Sequence, residues 1–208
     1  MSRKIIFCLL LGTLTFCSNE LEKLKHPLNI LVFTKTEGYR HDSIEDGVQM
    51  LQDICDENNV GLTLTESGFA FNPENLARYD AVVFLSTTGD VLSGAQQSSL
   101  ENFIRSGKGF VGIHAAAGTE YEWAWYGQLL GAFFESHPEP QTAKILIVDK
   151  THLATQALPN EWSHFDEWYN FNYQAVDKKV LAVLDESSYS GGTHGYHPIA
   201  WYHEFDGG

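Results

Sequence analysis

The sequence predicts an α/β domain wound mainly in parallel, and three observations carry that prediction. From Asn29 onward, short apolar runs alternate with stretches of helical periodicity. The runs at 30–34 and 81–85 lack polar alternation, as strands covered on both faces require. After a short leader about 190 residues remain, enough for one domain with a full core.

The elements follow in order. Residues 30–34 read as a buried strand, and 43–57 as an amphipathic helix with Asp42 or Ser43 as its cap and an apolar face at Ile44, Val48, Leu51, Ile54 and Cys55. Cys55 belongs to that face as a small core residue. A second strand covers 61–66, and a third covers 81–85 after Tyr79-Asp80. A helix covers 93–106 and a fourth strand 110–114. Residues 126–133 supply another helix, and 143–148, 180–184 and 199–202 further strands. The aromatic and polar stretches 162–173 and 187–197 read as long loops over the sheet, where function concentrates. No repeat, linker or low-complexity segment interrupts the domain.

Everything is organised around residues 107–116, Gly-Lys-Gly-Phe-Val-Gly-Ile-His-Ala-Ala. Phe110, Val111 and Ile113 are strand formers, whereas Gly112 and the alanines keep bulk away from a reversal of the chain. A strand, a sharp turn and a helix start make a nucleophile elbow, which lifts one side chain above the carboxyl edge of a parallel sheet. Either the lifted residue is His114, where serine or cysteine is usual, or the stretch is a buried strand that happens to end in a histidine. An imidazole there suits proton transfer near neutrality.

The first residues stand apart from the fold. Arg3 and Lys4 precede an apolar run over 5–16, the length of a signal-peptide core and too short for a permanent membrane span. Export to the periplasm or outer membrane is therefore expected. Cys17, at the end of the run, is either a lipid-bearing cysteine or a residue at a plain cleavage site; the bulky Phe16 speaks for the latter. The expected organisation is a signal over 1–17, a linker over 18–28 and a domain over 29–208.

Charge and composition narrow the partners. With 27 acidic against 13 basic residues the net charge is −14, which argues against nucleic acid or an anionic membrane surface. Removal of Arg3 and Lys4 with the leader takes it from −14 to −16. Aromatics make up 13 % of the chain, and Trp123, Trp125, Trp162, Trp168, Tyr169 and Tyr173 lie in or beside loops, suited to stacking on a sugar ring or to loop packing. Nine histidines fall mostly at strand ends and in loops, where βα topology gathers ligands. None shows the His-Glu-x-x-His spacing of a helical zinc site, so a divalent metal is left open and its ligands unknown. No Gly-x-Gly-x-x-Gly follows a strand, which argues against bound NAD.

An ordered set of fragments carries a resemblance. Tyr39-Arg40-His41-Asp42-Ser43, Thr88-Gly89-Asp90, residues 107–116, His137-Pro138, Leu158-Pro159, Asp166-Glu167-Trp168-Tyr169 and Pro198-Ile199-Ala200-Trp201 resemble the ThuA-like (trehalose utilisation) family across 29–208. The resemblance implies a flavodoxin-like three-layer sandwich of the class I glutamine amidotransferase-like superfamily, with His114 where amidotransferases carry their cysteine. It also implies catabolism of trehalose and related disaccharides, in some members through 3-keto sugars, with a sugar dehydrogenase as functional partner. Two departures stand out. The family's further segment, a Gly-Arg strand with Tyr-Thr and Leu-Gly-His, does not follow Gly208, so a C-terminal sheet edge and a site histidine are expected to be missing; and Leu153 follows His152 in place of proline.

The residue chemistry and the resemblance together give an expected site. His114 is the acid/base centre, and His41, Asp166 or Glu167 is the second acid/base or a metal ligand. Substrate-binding positions are expected at Arg40, Tyr39, Trp168, Tyr169, His137 and Trp201, with Arg40 and the N–H groups after His114 steadying negative charge. The substrate is a small carbohydrate, a glycoside or 3-keto-glycoside. Two other classes stay open: a non-catalytic sugar-binding protein that stacks a saccharide on Trp168 and Tyr169, and a metal-dependent hydrolase.

Overall fold

The computed structural model describes residues 27–193 and 195–208. The leader, Cys17 and most of the linker lie outside them, as does His194. Among the described residues no helix is long and apolar enough to cross a membrane.

Parallel winding fills the first half. Strands β1 (Asn29–Phe33), β2 (Gly61–Thr65), β3 (Ala81–Leu85) and β4 (Gly109–Ile113) form one parallel sheet in the order β2-β1-β3-β4. Alternate side chains of the two central strands serve opposite faces, as the strand period of two requires. Leu31, Phe33, Val82 and Phe84 pack with Leu100, Phe103 and Ile104 of α3 (Gly94–Arg105) and with Tyr126 and Leu129 of α4 (Ala124–Leu130). Val32, Val83 and Leu85 face the other way, against Val48 and Leu51 of α1 (Ile44–Glu57). The result is a helix–sheet–helix sandwich, the flavodoxin-like arrangement. Strand β4 is the sheet's edge, and Val111 on it stands half exposed.

The second half departs from the simple alternation. Strands β6 (Gln141–Ile147), β7 (Glu161–Asp166), β9 (Lys179–Asp185) and β10 (His197–Tyr202) form an antiparallel sheet in the order β10-β9-β6-β7, while β5 (Ala132–Ser136) pairs antiparallel with β8 (Asn170–Tyr173). Two sequence expectations change here. The helix expected over 126–133 ends at Leu130, because Gly131 at φ 90° caps it in the left-handed region and Phe133 folds back onto Gly127. The loop expected over 162–173 is largely strand. Its polar residues made it read as loop, but β7 is an edge strand with most side chains in solvent, held by its ladder to β6. The stretch 187–197 keeps its loop character apart from a short 3₁₀ turn at Glu186–Ser188 and the start of β10. A four-residue helix α2 (Pro73–Leu76), started by Asn72 as cap, was not legible in the apolar pattern.

Candidate functional site

The site is built on the end of β4. At His114 the backbone takes φ 51°, a left-handed conformation that costs a residue with a Cβ about 1–3 kcal/mol. The chain then tightens into a 3₁₀ turn, His114–Gly118, whose alanines 115, 116 and 117 are buried. The Tyr126 hydroxyl donates to the Ala116 carbonyl at 2.8 Å and braces the turn from below. Gly112 lets the Leu130 side chain lie on the strand, since a Cβ there would stand 2.3 Å from Leu130 Cδ1. The strained residue is thus held by what surrounds it.

Three further segments bring partners to His114. The loop after β1 carries His41 and is tied to the loop after β3 by Glu37 N–H to the Thr88 carbonyl (2.8 Å) and by Thr88 Oγ1 to the Tyr39 carbonyl (2.8 Å). His137 follows β5 directly. Glu167 and Tyr169 lie between β7 and β8. In the assembled site one carboxylate meets three imidazoles: Glu167 Oε2 lies 3.5 Å from His41 Nε2 and 3.4 Å from His114 Nε2, and Oε1 lies 3.2 Å from His137 Nε2. The ligand atoms of His41, His114 and Glu167 all lie within 4.8 Å of one another, near enough to hold a metal ion.

Tyr169 forms one wall. Its ring lies against His114 with centroids 4.4 Å apart, and its hydroxyl is 3.3 Å from His41 Nε2. Burial, reinforced by the charge of Glu167, raises the Tyr169 phenol far above its ordinary range, so it remains a hydroxyl donor. Burial lowers the pKa of His114, with the neighbouring His41 adding to the effect, while Glu167 pulls partly back. His114 is accordingly a neutral imidazole near neutral pH, the form that accepts a proton or a cation.

The other expected site residues take up different positions. Trp168 is buried in the core of the antiparallel sheet and donates from Nε1 to the Gln141 carbonyl at 2.7 Å, yet it still lines the cleft. Trp201 lines the same cleft, fixed by Nε1 to the Leu130 carbonyl at 2.8 Å. Tyr39 is exposed and meets His41 edge-on at 4.8 Å. The guanidinium of Arg40 is taken up by Glu66 at 2.9 Å, Glu45 at 3.3 Å and the Thr34 carbonyl. Asp166 receives the Glu167 N–H and faces His164 at 4.0 Å; of the acidic pair, Glu167 is the residue inside the cluster.

The cleft that opens beside His114 has a volume of about 510 Å³, runs along the open edge of β4 and is lined by Phe110, Phe171, Trp201, Tyr202 and Phe205 besides His114, Asp166, Glu167 and Tyr169. Phe171 was missed in the sequence, although Tyr169, Phe171 and Tyr173 at alternating positions signal a strand face. A second omission is the pair behind Tyr169. His197, fully buried, donates from Nε2 to the Tyr169 carbonyl at 2.8 Å, and its Nδ1 meets Glu186 at 2.8 Å. No local signal marks this pair, since its partners come from separate elements.

Comparison with known proteins agrees with this architecture. A ThuA-like protein from Bacteroides uniformis superposes with a TM-score of 0.73 at 24 % identity, covering 85 % of this chain and 78 % of that one. A second, from Parabacteroides merdae, gives 0.72 at 17 % identity, covering 88 % and 77 %. No curated protein matches the sequence significantly. The family model for ThuA, trehalose utilisation, matches residues 29–208. The chain, from its first strand to Gly208, therefore belongs to the ThuA family.

Proposed function

We propose that the cleft is the active site of an exported enzyme of carbohydrate catabolism, acting on a glycoside or 3-keto-glycoside by acid/base chemistry centred on His114. The observation that carries this reading is the meeting of His114 with Glu167 and two further imidazoles at the mouth of an aromatic cleft. A carbonyl at C3 of a sugar acidifies the neighbouring C–H. His114 takes that proton, the imidazolium is stabilised by Glu167, and the glycosidic oxygen leaves with a proton supplied by His137. Addition of water to the unsaturated keto sugar completes a net hydrolysis. Aromatic faces at Tyr169, Phe171 and Trp201 suit the apolar faces of the sugar rings. A dehydrogenase that oxidises C3 is the class of partner that supplies such a substrate.

The test is turnover by purified protein of a disaccharide and of its 3-keto form. Consumption of either, lost in His114→Ala, supports the reading. Sugar binding without turnover in the wild type replaces it with a sugar-binding protein. Export is tested separately by mass spectrometry of the mature N-terminus: loss of the residues before Cys17 is expected, and a lipid mass on Cys17 distinguishes anchoring from release.

A further inference from the structure

We propose that Nε2 of His41, Nε2 of His114 and a carboxylate oxygen of Glu167 form a binding site for one first-row divalent cation, Zn²⁺ by the chemistry of the donors. The inference rests on the reading of this cluster as the reacting centre, and it reassigns one role within it.

The distances favour a shared ion over hydrogen bonds. Charge-assisted N–H···O bonds lie near about 2.7–2.9 Å, and the buried His197–Glu186 pair of this same protein meets at 2.8 Å. Glu167 Oε2 instead stands 3.5 Å from His41 and 3.4 Å from His114. A tetrahedral ion with bonds of about 2.0–2.2 Å separates its ligand atoms by about 3.3–3.6 Å. The two gaps to Glu167 therefore match an ion's ligand spacing, and the three ligand atoms all lie within 4.8 Å of one another. Two imidazoles and one carboxylate are also a donor set suited to Zn²⁺ and its neighbours, and three protein ligands leave a position for water or a sugar oxygen.

The three donors come from the loop after β1, the end of β4 and the β7–β8 connection, segments braced at neighbouring residues by hydrogen bonds to the Tyr39, Ala116 and Tyr169 carbonyls. His41 Nδ1 is buried without a hydrogen-bond partner. Tyr169 closes one side. His137 completes the surroundings: its Nδ1, 2.8 Å from the Pro138 carbonyl, must donate, so Nε2 faces Glu167 Oε1 at 3.2 Å either as a bare acceptor or with a proton. A bare Nε2 leaves this carboxylate in need of a cation beside it; a protonated one makes His137 itself the positive partner. With the cation on His41, His114 and Oε2, His114 is a ligand, and the proton-transfer role passes to His137 on the other oxygen.

Chelator-treated full-length mature protein is titrated with Zn²⁺ by calorimetry and with Co²⁺ by visible absorption. Expected are one ion per chain and a ligand-field spectrum of low coordination number. His41→Ala and Glu167→Gln, checked for unchanged melting, each weaken binding by more than about a hundredfold, the upper end of what loss of an outer partner costs. His164→Ala, an exposed histidine outside the cluster, leaves binding intact. Absence of stoichiometric binding in the wild type, or equal binding in the two ligand variants, overturns the site. The two readings separate: turnover in cation-free protein with no Co²⁺ uptake removes the cation and keeps His114 as base. Stoichiometric Co²⁺ without turnover of either sugar keeps the cation and removes the proposed activity.

Discussion

The His114 ring stands at the cleft end of β4 with Tyr169 and His41 against it, so its truncation removes those contacts but leaves the buried alanines beneath the turn in place. His114→Ala is expected to lower turnover by about a hundredfold to ten-thousandfold while melting stays near wild type. A large fall in melting temperature would make it a structural histidine instead. Glu120 is the opposite case. It is buried with φ 55°, and it accepts the N–H groups of Val91 and Leu92 and the amide of Gln97 at 2.7–2.9 Å, pinning the loop after β3 to α3. Glu120→Ala leaves these donors unmatched and is expected to cost about 1–3 kcal/mol in a denaturant titration. Glu120→Gln should cost less, because Gln97 can turn its amide to match. Burial raises the Glu120 pKa, and the three donors pull partly back. A raised folded pKa means that the folded chain binds the proton more tightly. The contribution to stability is therefore complete below the ordinary carboxylate range and is lost as pH rises through the raised value. Melting temperatures measured from roughly pH 4 to 7 should show this slope in the wild type and a shallower one in Glu120→Gln.

At the scale of elements, β4 and α4 depend on a close approach. Gly112 lets Leu130 lie directly on the strand, and Gly127 lets Phe133 return across the helix. Gly112→Ala forces a methyl to 2.3 Å from Leu130 Cδ1. Overpacking of this kind costs about 1–3 kcal/mol. Because the clash pushes directly beneath the turn of His114, the substitution should lower both the unfolding midpoint and the turnover, whereas Gly94→Ala, with open space at its Cβ, should lower neither. Gly112 was identifiable in the sequence as a position where bulk is excluded, but its partner Leu130 was not, since the two are brought together by the packing of a helix on a sheet.

At the scale of the molecule, the candidate site joins two sheets. His41 and His114 belong to the parallel sheet; Glu167 and Tyr169 come from the antiparallel half, where His197 on β10 holds the Tyr169 carbonyl. His197→Ala removes that hold and leaves Glu186 without its partner ring. Stability is expected to fall by at least about 1–3 kcal/mol. Amide exchange should rise over residues 166–173 while β1 and β3 remain protected. Uniform loss of protection in both sheets would show that His197 supports the whole core rather than the placement of Tyr169.

The sequence by itself determined the parallel half, because strands covered on both faces leave continuous apolar runs at 30–34 and 81–85. It also marked the elbow, since Gly112, His114 and the alanines after it are legible as a turn that excludes bulk. His41, His137 and Glu167 were recognisable as chemical groups at strand ends. Their convergence was not, nor was it legible that Glu167 enters the cluster while Asp166, which lines the same cleft, faces His164. In the antiparallel half the strands β6, β9 and β10 were legible as apolar runs at 143–148, 180–184 and 199–202, but their antiparallel pairing and the remaining strands were decided by tertiary structure. Its polar edge strand β7 and the aromatic strand β8 carry no continuous apolar run, and they exist as strands through hydrogen bonds to partners distant in the chain. Arg40 shows the same limit, since only the fold places Glu45 and Glu66 beside its guanidinium and so engages the charge expected to face a substrate.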